Sequence, residues 1–266
     1  MASPFAFPNR QLISAFFSLL LVTSSIAGTS QIPQSNKIDQ RVPVLVELFT
    51  SEGCSDCPPA DALLAELDSK QFVPGAEAIV LSEHVTYWDH QGWRDPFSLE
   101  SVTQRQEEYV RRFALDSAYT PQMVVDGTSQ FVGSNGRALL AALNKAAAKP
   151  KTDLSIENAH WDQGTVHFTI RGEKANGTRL FAVLASNATH SEVARGENAG
   201  RTLHHIAVVR ALKVFSNDAI DGRPLVVPAG PLAQANEANG PVRLVVFLAD
   251  SGSGQVRAAT EQVLSR

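Results

Sequence analysis

Cysteine is nearly missing from this chain: Cys54 and Cys57 are the only two in 266 residues. That excludes a disulfide-stapled scaffold, in which many cross-links stand in for a hydrophobic core. An excess of one charge sign is missing too. With 23 basic and 27 acidic residues and a formal charge of -4, there is no polyanion signature, so neither nucleic acid nor an anionic membrane surface is an expected partner. No repeat, low-complexity tract, nucleophile elbow, phosphate loop or carboxylate dyad stands out.

Long apolar runs are equally scarce. The one candidate, Leu12 to Ile26, follows Arg10 and leads into the small residues Ser25-Ile26-Ala27, the pattern of an export signal cut after Ala27. It is short for a full membrane span and is followed by a polar leader, Gly28 to Arg41. The expectation is a periplasmic or secreted protein with no membrane association after cleavage, in a space where a disulfide persists. Sequons at Asn176 and Asn187 matter only in a host that glycosylates, and the compact signal favours bacterial export.

What is present is an ordinary globular composition, 44% hydrophobic and 19% charged, with length enough for two domains. The stretch that organises the rest is Thr50-Ser51-Glu52-Gly53-Cys54-Ser55-Asp56-Cys57-Pro58-Pro59. Before it, Val42 to Phe49 is continuously apolar and short, a strand buried on both faces. After it, Leu63, Leu64 and Leu67 recur at helical spacing to about Lys70, with Pro58 or Pro59 in the first turn. Ala78 to Val85 reads as a second strand, parallel to the first through a right-handed crossover. An aromatic loop, His84 to Phe97, leads to a helix marked by Leu99, Val102, Gln106, Tyr109, Val110 and Phe113, the longest expected, with Ser101 and Gln104 as a capping box. Tyr119 to Val125, the turn Asp126-Gly127 and Gln130 to Val132 form a hairpin, and Asn135 caps a last helix carrying Leu139, Leu140 and Leu143.

Strand, helix, strand, helix, strand, strand, helix, with C-x-x-C at the first strand-to-helix turn and Thr120-Pro121 before the third strand, resembles a thioredoxin fold over Val42 to Lys149. More narrowly, Glu47 to Asp61, Tyr87-Trp88-Asp89 with Gly92-Trp93, Tyr119 to Gly127 and Gly196 to Leu203 resemble the secreted domain-of-unknown-function 1223 family. Pro150 marks the domain boundary. Beyond it Leu154 to Ile156, Thr165 to Ile170, Leu180 to Leu184, Ile206 to Val214, Leu225 to Val227, Arg243 to Leu248 and Gln255 to Ala259 are short strand candidates. They suggest an antiparallel sandwich. The expected architecture is therefore an α/β thioredoxin-like domain, 42–149, followed by an all-β, sandwich-like domain, 150–266.

Two cysteines at this spacing can close a small ring, and unpaired N–H groups at a helix start stabilise a thiolate. In the exchange reading Cys54, nearer the loop surface, attacks, and Cys57, one turn deeper, resolves the mixed disulfide with a protein thiol or disulfide. The thioredoxin resemblance implies that Pro121 is cis and lies beside the cysteines, and that Thr120 presents its backbone to substrate. This sequence departs from that pattern at Gly53, where thioredoxins have tryptophan, at Pro58-Pro59, and at Glu52 and Asp56, whose charge opposes a thiolate. Two other readings stay open: a non-catalytic secreted binding module in which the disulfide is a permanent brace, which so small a ring makes weakly stabilising, and a copper(I) or zinc site of Cys54, Cys57 and a histidine from the His84 to His90 loop. No cofactor is otherwise expected. Tyr87, Trp88 and Trp93 line a substrate groove or plug the loop onto the sheet. Gly196 to Thr202 is a loop that reaches the first domain, where Arg195 and Arg201 face Glu52 or Asp56. His204-His205 reads as strand decoration, since adjacent strand residues point to opposite faces.

Overall fold

The computed structural model describes residues 41–233 and 240–265. The expected signal segment and the leader through residue 40 lie outside them. Strand β1, Val42–Thr50, is buried along nearly its whole length because helices cover both of its faces. Leu45 and Phe49 point one way, and Val44, Val46 and Leu48 the other. Helix α1, Pro58–Lys70, begins on the two prolines, where a missing N–H is harmless, and ends at Gln71 in the left-handed region, its N–H on the Leu67 carbonyl at 2.9 Å. Strand β2, Ala76–His84, runs parallel to β1 in register from Val42↔Ala76 to Thr50↔His84.

Helix α2, Glu100–Arg112, has Leu99 at its N-cap with no side-chain cap, so the expected box of Ser101 and Gln104 does not form. At 13 residues it equals α1 rather than exceeding it. Strands β3, Gln122–Val125, and β4, Ser129–Val132, make the expected hairpin, with Asp126 and Gly127 both at positive φ (54° and 66°) as a tight primed turn requires. Helix α3, Gly136–Ala147, is capped by Asn135, whose Oδ1 accepts the Ala138 N–H at 3.1 Å.

The remaining strands are β5 (Leu154–Asp162), β6 (Thr165–Gly172), β7 (Thr178–Glu192), β8 (Thr202–Ser216), β9 (Leu225–Pro228), β10 (Val242–Asp250) and β11 (Val256–Leu264). Every strand expected from the apolar runs falls on one of these, the last beginning at Val256, one residue after the expected Gln255. However, β7 and β8 are 15 residues each and form one long hairpin whose far half carries polar, half-exposed residues.

These strands overturn the expected fold class. The sheet does not stop at β2: Ser82 pairs in parallel with Val208 of β8, giving one eight-stranded mixed sheet of order β11-β10-β7-β8-β2-β1-β3-β4. Helix α2 packs across both halves, since Val102 and Tyr109 share a core with Leu45 and Ile79 and also with Phe181 of β7 and Phe247 of β10. On the opposite face α1 and α3 cover β1 to β3, while the small sheet β5-β6-β9 covers β7 and β10 through Phe168, Ile170 and Leu225. With eleven strands against three helices among the described residues, this is a β-rich fold and not an α/β thioredoxin-like domain followed by a separate sandwich. The pattern along β1 to α3 is real, but pairing between distant segments is invisible to local periodicity.

Candidate functional site

The C-terminal ends of β1 and β2 and the tip of the β7–β8 hairpin converge on the two cysteines. Cys54 and Cys57 close a disulfide with Cα atoms 5.5 Å apart. The segment is also fixed by backbone bonds: Cys54 N–H to Ser51 O (3.2 Å), Cys57 N–H to Cys54 O (3.3 Å), and Ala60 and Asp61 N–H to Cys57 O (2.8 and 3.1 Å). Cys57 is the N-cap of α1 rather than a residue one turn inside it. Cys54 is no nearer the surface than its partner: the two are 1% and 0% exposed, while Ser55 and Asp56 between them are exposed.

Two loops cover the ring. The hairpin loop reaches it as expected, although through Asn198 and Glu197 rather than through the arginines. Buried Asn198 donates from Nδ2 to the carbonyls of both Glu52 and Cys54, each at 2.9 Å, and Ser55 N–H donates to Glu197 Oε2 at 3.0 Å. Arg201 acts behind Asn198, donating to its Oδ1 at 3.0 Å, and lines a cleft at the loop's neck with Glu192, Val193, Ala194, Gly200 and Thr202.

From the other side, Trp93 donates its indole N–H to Glu52 Oε2 at 2.8 Å, and Trp88 donates to Thr120 Oγ1 at 2.8 Å. The Thr120-Pro121 peptide is cis. Gly53 lies close under Trp88: a Cβ there would stand 3.1 Å from the Trp88 Cβ, so a side chain would fit only if Trp88 gave way slightly. Thr120, Trp88, Gly53 and Cys54 are thus linked in sequence, with Trp93 tied to the adjoining Glu52.

Beneath the ring lies a buried polar cluster that sequence reasoning did not assemble. Thr50 and His84 are register partners on β1 and β2 and project to the α1 face. Thr50 Oγ1 donates to Asp61 Oδ1 at 2.9 Å, and His84 Nδ1 is 2.7 Å from Asp95 Oδ2, which also accepts the Glu52 N–H at 2.8 Å. His205 of β8 places Nε2 3.2 Å from Glu52 Oε1, an atom that also accepts from Ser191 Oγ, and Nδ1 3.8 Å from Asp61 Oδ2. The His84 and His205 rings meet edge to face at 4.6 Å. Burial pushes the Asp61 carboxyl up, with His205 and His84 opposing. Burial would pull His84 down, yet the Asp95 carboxylate outweighs it and holds the imidazole above its ordinary range; reciprocally, burial would raise Asp95, and His84 with two backbone N–H groups holds it below.

Of the sequence-named residues, Cys54, Cys57, Thr120, Trp88 and Trp93 therefore belong to one connected region, with Pro121 at its margin against Gly133. Among the described residues no group of three His, Cys, Asp or Glu is arranged to hold a metal ion, and His84 is committed to Asp95. Asp61, Asp95, Asn198 and His205 were missed. Only Asp61, one helical turn after Cys57, carried a local signal; the alternation that makes one of His204 and His205 buried did not say in what surroundings.

The family model described as "Protein of unknown function (DUF1223)" matches residues 45–248. A crystal structure of a protein from Agrobacterium tumefaciens is 24% identical, covering 85% of this chain and 95% of its own, with a TM-score of 0.58, a likeness of fold. A β-glucuronidase from Bacteroides uniformis matches at 11% identity over 43% of this chain and 13% of its own; its TM-score of 0.17 carries no argument. No curated protein matches.

Proposed function

The chain belongs to the DUF1223 family, and from that premise we propose that its Cys54–Cys57 ring carries out or accepts thiol–disulfide exchange. One observation carries this reading: the disulfide repeats a constraint already in place. The Cys57 N–H to Cys54 O bond, the Ser51 turn and the Asn198 clamp hold the same segment, and a ring this small removes little chain entropy. A bond that adds little as a brace has its use in being broken and remade.

In the reductive half-reaction a substrate thiolate attacks Cys54 Sγ and Cys57 leaves as a thiolate that takes up a proton. The substrate's second thiol then closes on the mixed disulfide and releases Cys54. The substrate dithiol is oxidised to a disulfide, the ring is reduced, and the two thiol protons end on the cysteines. Because both sulfurs are covered, attack requires the loops bearing Trp93 and Asn198 to swing aside. Export through the Leu12 to Ile26 segment fits this reading, since an oxidising compartment keeps the ring closed between turnovers.

The test is a Cys57→Ser chain offered a small fluorescent disulfide. A mixed disulfide trapped on Cys54, and not on Cys57 of the Cys54→Ser chain, is expected; equal or absent labelling sinks the proposal. The burial of both sulfurs favours a second reading, a permanent brace, under which neither variant labels while folded and both lose stability.

A further inference from the structure

The outer face of the small sheet carries two histidines that a β-bulge sets against each other. Strands β5 and β6 pair Glu157 with Thr169 and then His160 with His167, so β5 spends one more residue than its partner in between. Without that extra residue Ala159 would stand opposite His167, and His160 would turn to the core side. Instead Asn158 takes the left-handed region at a φ of 56°, and His160 projects outwards, exposed, beside half-buried His167. The same shift packs Ala159 and Trp161 onto the core beneath, which leaves the opposed imidazoles as the feature that packing does not require.

The first of the two rings is held in place. His160 Nδ1 lies 2.9 Å from the Asn158 carbonyl oxygen, which can only accept, so the proton is on Nδ1 and the lone pair of the neutral ring is on Nε2. A metal-ligating imidazole is oriented in this way, with one nitrogen bonded to a carbonyl and the other presented to the ion. The spacing fits as well. A zinc ion stands about 2.0–2.1 Å from each nitrogen and roughly 3.2 Å from each ring centre, so two imidazoles on a tetrahedral ion have centroids about 5.2 Å apart. Those of His160 and His167 are 5.3 Å apart. His190 and His204, a second exposed pair of register partners on β7 and β8, stand wider at 6.0 Å.

We propose that His160 and His167 form a binding site for a divalent ion of the class that imidazole prefers, with tetrahedral zinc(II) as the best fit, held across β5 and β6 through two nitrogens. His160 supplies Nε2 in its fixed orientation, and His167 closes on the ion by turning about Cβ–Cγ. Among the described residues no third His, Cys, Asp or Glu completes the set, so water fills the remaining positions. The ion ties β5, an edge strand of the small sheet, to its neighbour and stabilises the folded chain. The site lies apart from the disulfide and does not rest on the exchange reading.

The experiment is a titration of the full chain, its disulfide closed, with zinc chloride by calorimetry, beside urea melts with and without the ion. One ion is expected to bind tightest, with a dissociation constant that rises at least about tenfold in His160→Gln and in His167→Gln. His190→Gln is expected to leave it unchanged. Zinc is expected to raise the urea midpoint of the wild type and not that of His160→Gln. Both side chains point outwards, and either variant suffices if the other does not fold. A chain that binds no zinc, an unchanged constant in a folded His160 or His167 variant, or an equal loss in His190→Gln overturns the proposal.

Discussion

Asn198 makes two hydrogen bonds with a single buried amide, to the carbonyls of Glu52 and Cys54. Its removal leaves both acceptors and the Arg201 guanidinium to find other partners. Asn198→Ala is therefore expected to lower stability by about 2 kcal/mol, read as a shift of the denaturant midpoint, and to speed reduction of the ring by a small thiol several-fold. An unchanged midpoint and rate would remove the loop from the account. Gly127 makes a separate prediction. A Cβ there would lie 2.0 Å from the Gly254 carbonyl oxygen, at a backbone φ of 66° that side chains resist. Gly127→Ala is expected to cost roughly 2–4 kcal/mol, whereas Gly177→Ala, at similar φ with open space around it, is expected to cost roughly 1 kcal/mol; equal thermal shifts would contradict this. Residues of this kind show how much was legible. Gly53, Cys54, Cys57, Trp88, Trp93 and Thr120 could be named from motif and order. Asn198 and His205 act on a segment more than a hundred positions away: the loop that carries Asn198 was expected to reach it, but no local pattern singled out either residue as the one making the contact.

Strands β1 and β2 carry a second buried polar group on the α2 face, opposite the ring. Arg105 of α2 donates to Glu47 Oε1 and, at 2.9 Å, to the Tyr109 hydroxyl, which donates to Glu47 Oε2 at 2.5 Å. Neighbouring Glu83 has both oxygens buried and unbonded, 3.9 Å from the Arg105 Nε at the nearest. Burial, and then the Glu47 carboxylate, raise the Glu83 carboxyl well above its ordinary range against the pull of Arg105. The folded state thus holds this proton more tightly than the unfolded chain. Its stabilising contribution is full below the ordinary carboxylate range and is lost as pH rises through the raised value. Glu83→Gln stays neutral, so its advantage over the wild type is expected to grow with pH, at up to about 1.4 kcal/mol per pH unit within the titrating window. Urea melts at pH 5, 7 and 8.5 check it, and a constant difference would contradict it. At this scale most of the fold was readable, because β1 through α3 follow apolar runs and helical spacing. The lengths of β7 and β8 were not, since Asn187 to Glu192 is polar apart from Ala188, shows no apolar alternation, and forms a strand only through the partner across the hairpin.

The described residues form one large sheet with helices and a small sheet on its faces, and the contacts that join the sequence halves include Ser82 with Val208, Arg243 with Asp68 through two bonds of 2.7 Å, and the shared core of Tyr109, Phe181 and Phe247. Denaturation followed by tryptophan fluorescence and by far-ultraviolet dichroism is expected to give coincident single transitions; two separated midpoints would show halves that fold apart. The expected thioredoxin-like division failed at this scale for a physical reason: a parallel pair between β2 and β8 is decided by which faces need cover, and the sequence of either strand alone is silent on it. The same joining places His205 and Asn198 over a ring built entirely from the first half, so the site exists only in the assembled chain. The most direct test is catalytic: the full chain with excess dithiothreitol and a model peptide disulfide, beside Cys54→Ser and Cys57→Ser. The account predicts turnover above the uncatalysed rate that both variants lose while keeping the wild-type fold. Turnover equal to background in the wild type, with the ring intact, would contradict it.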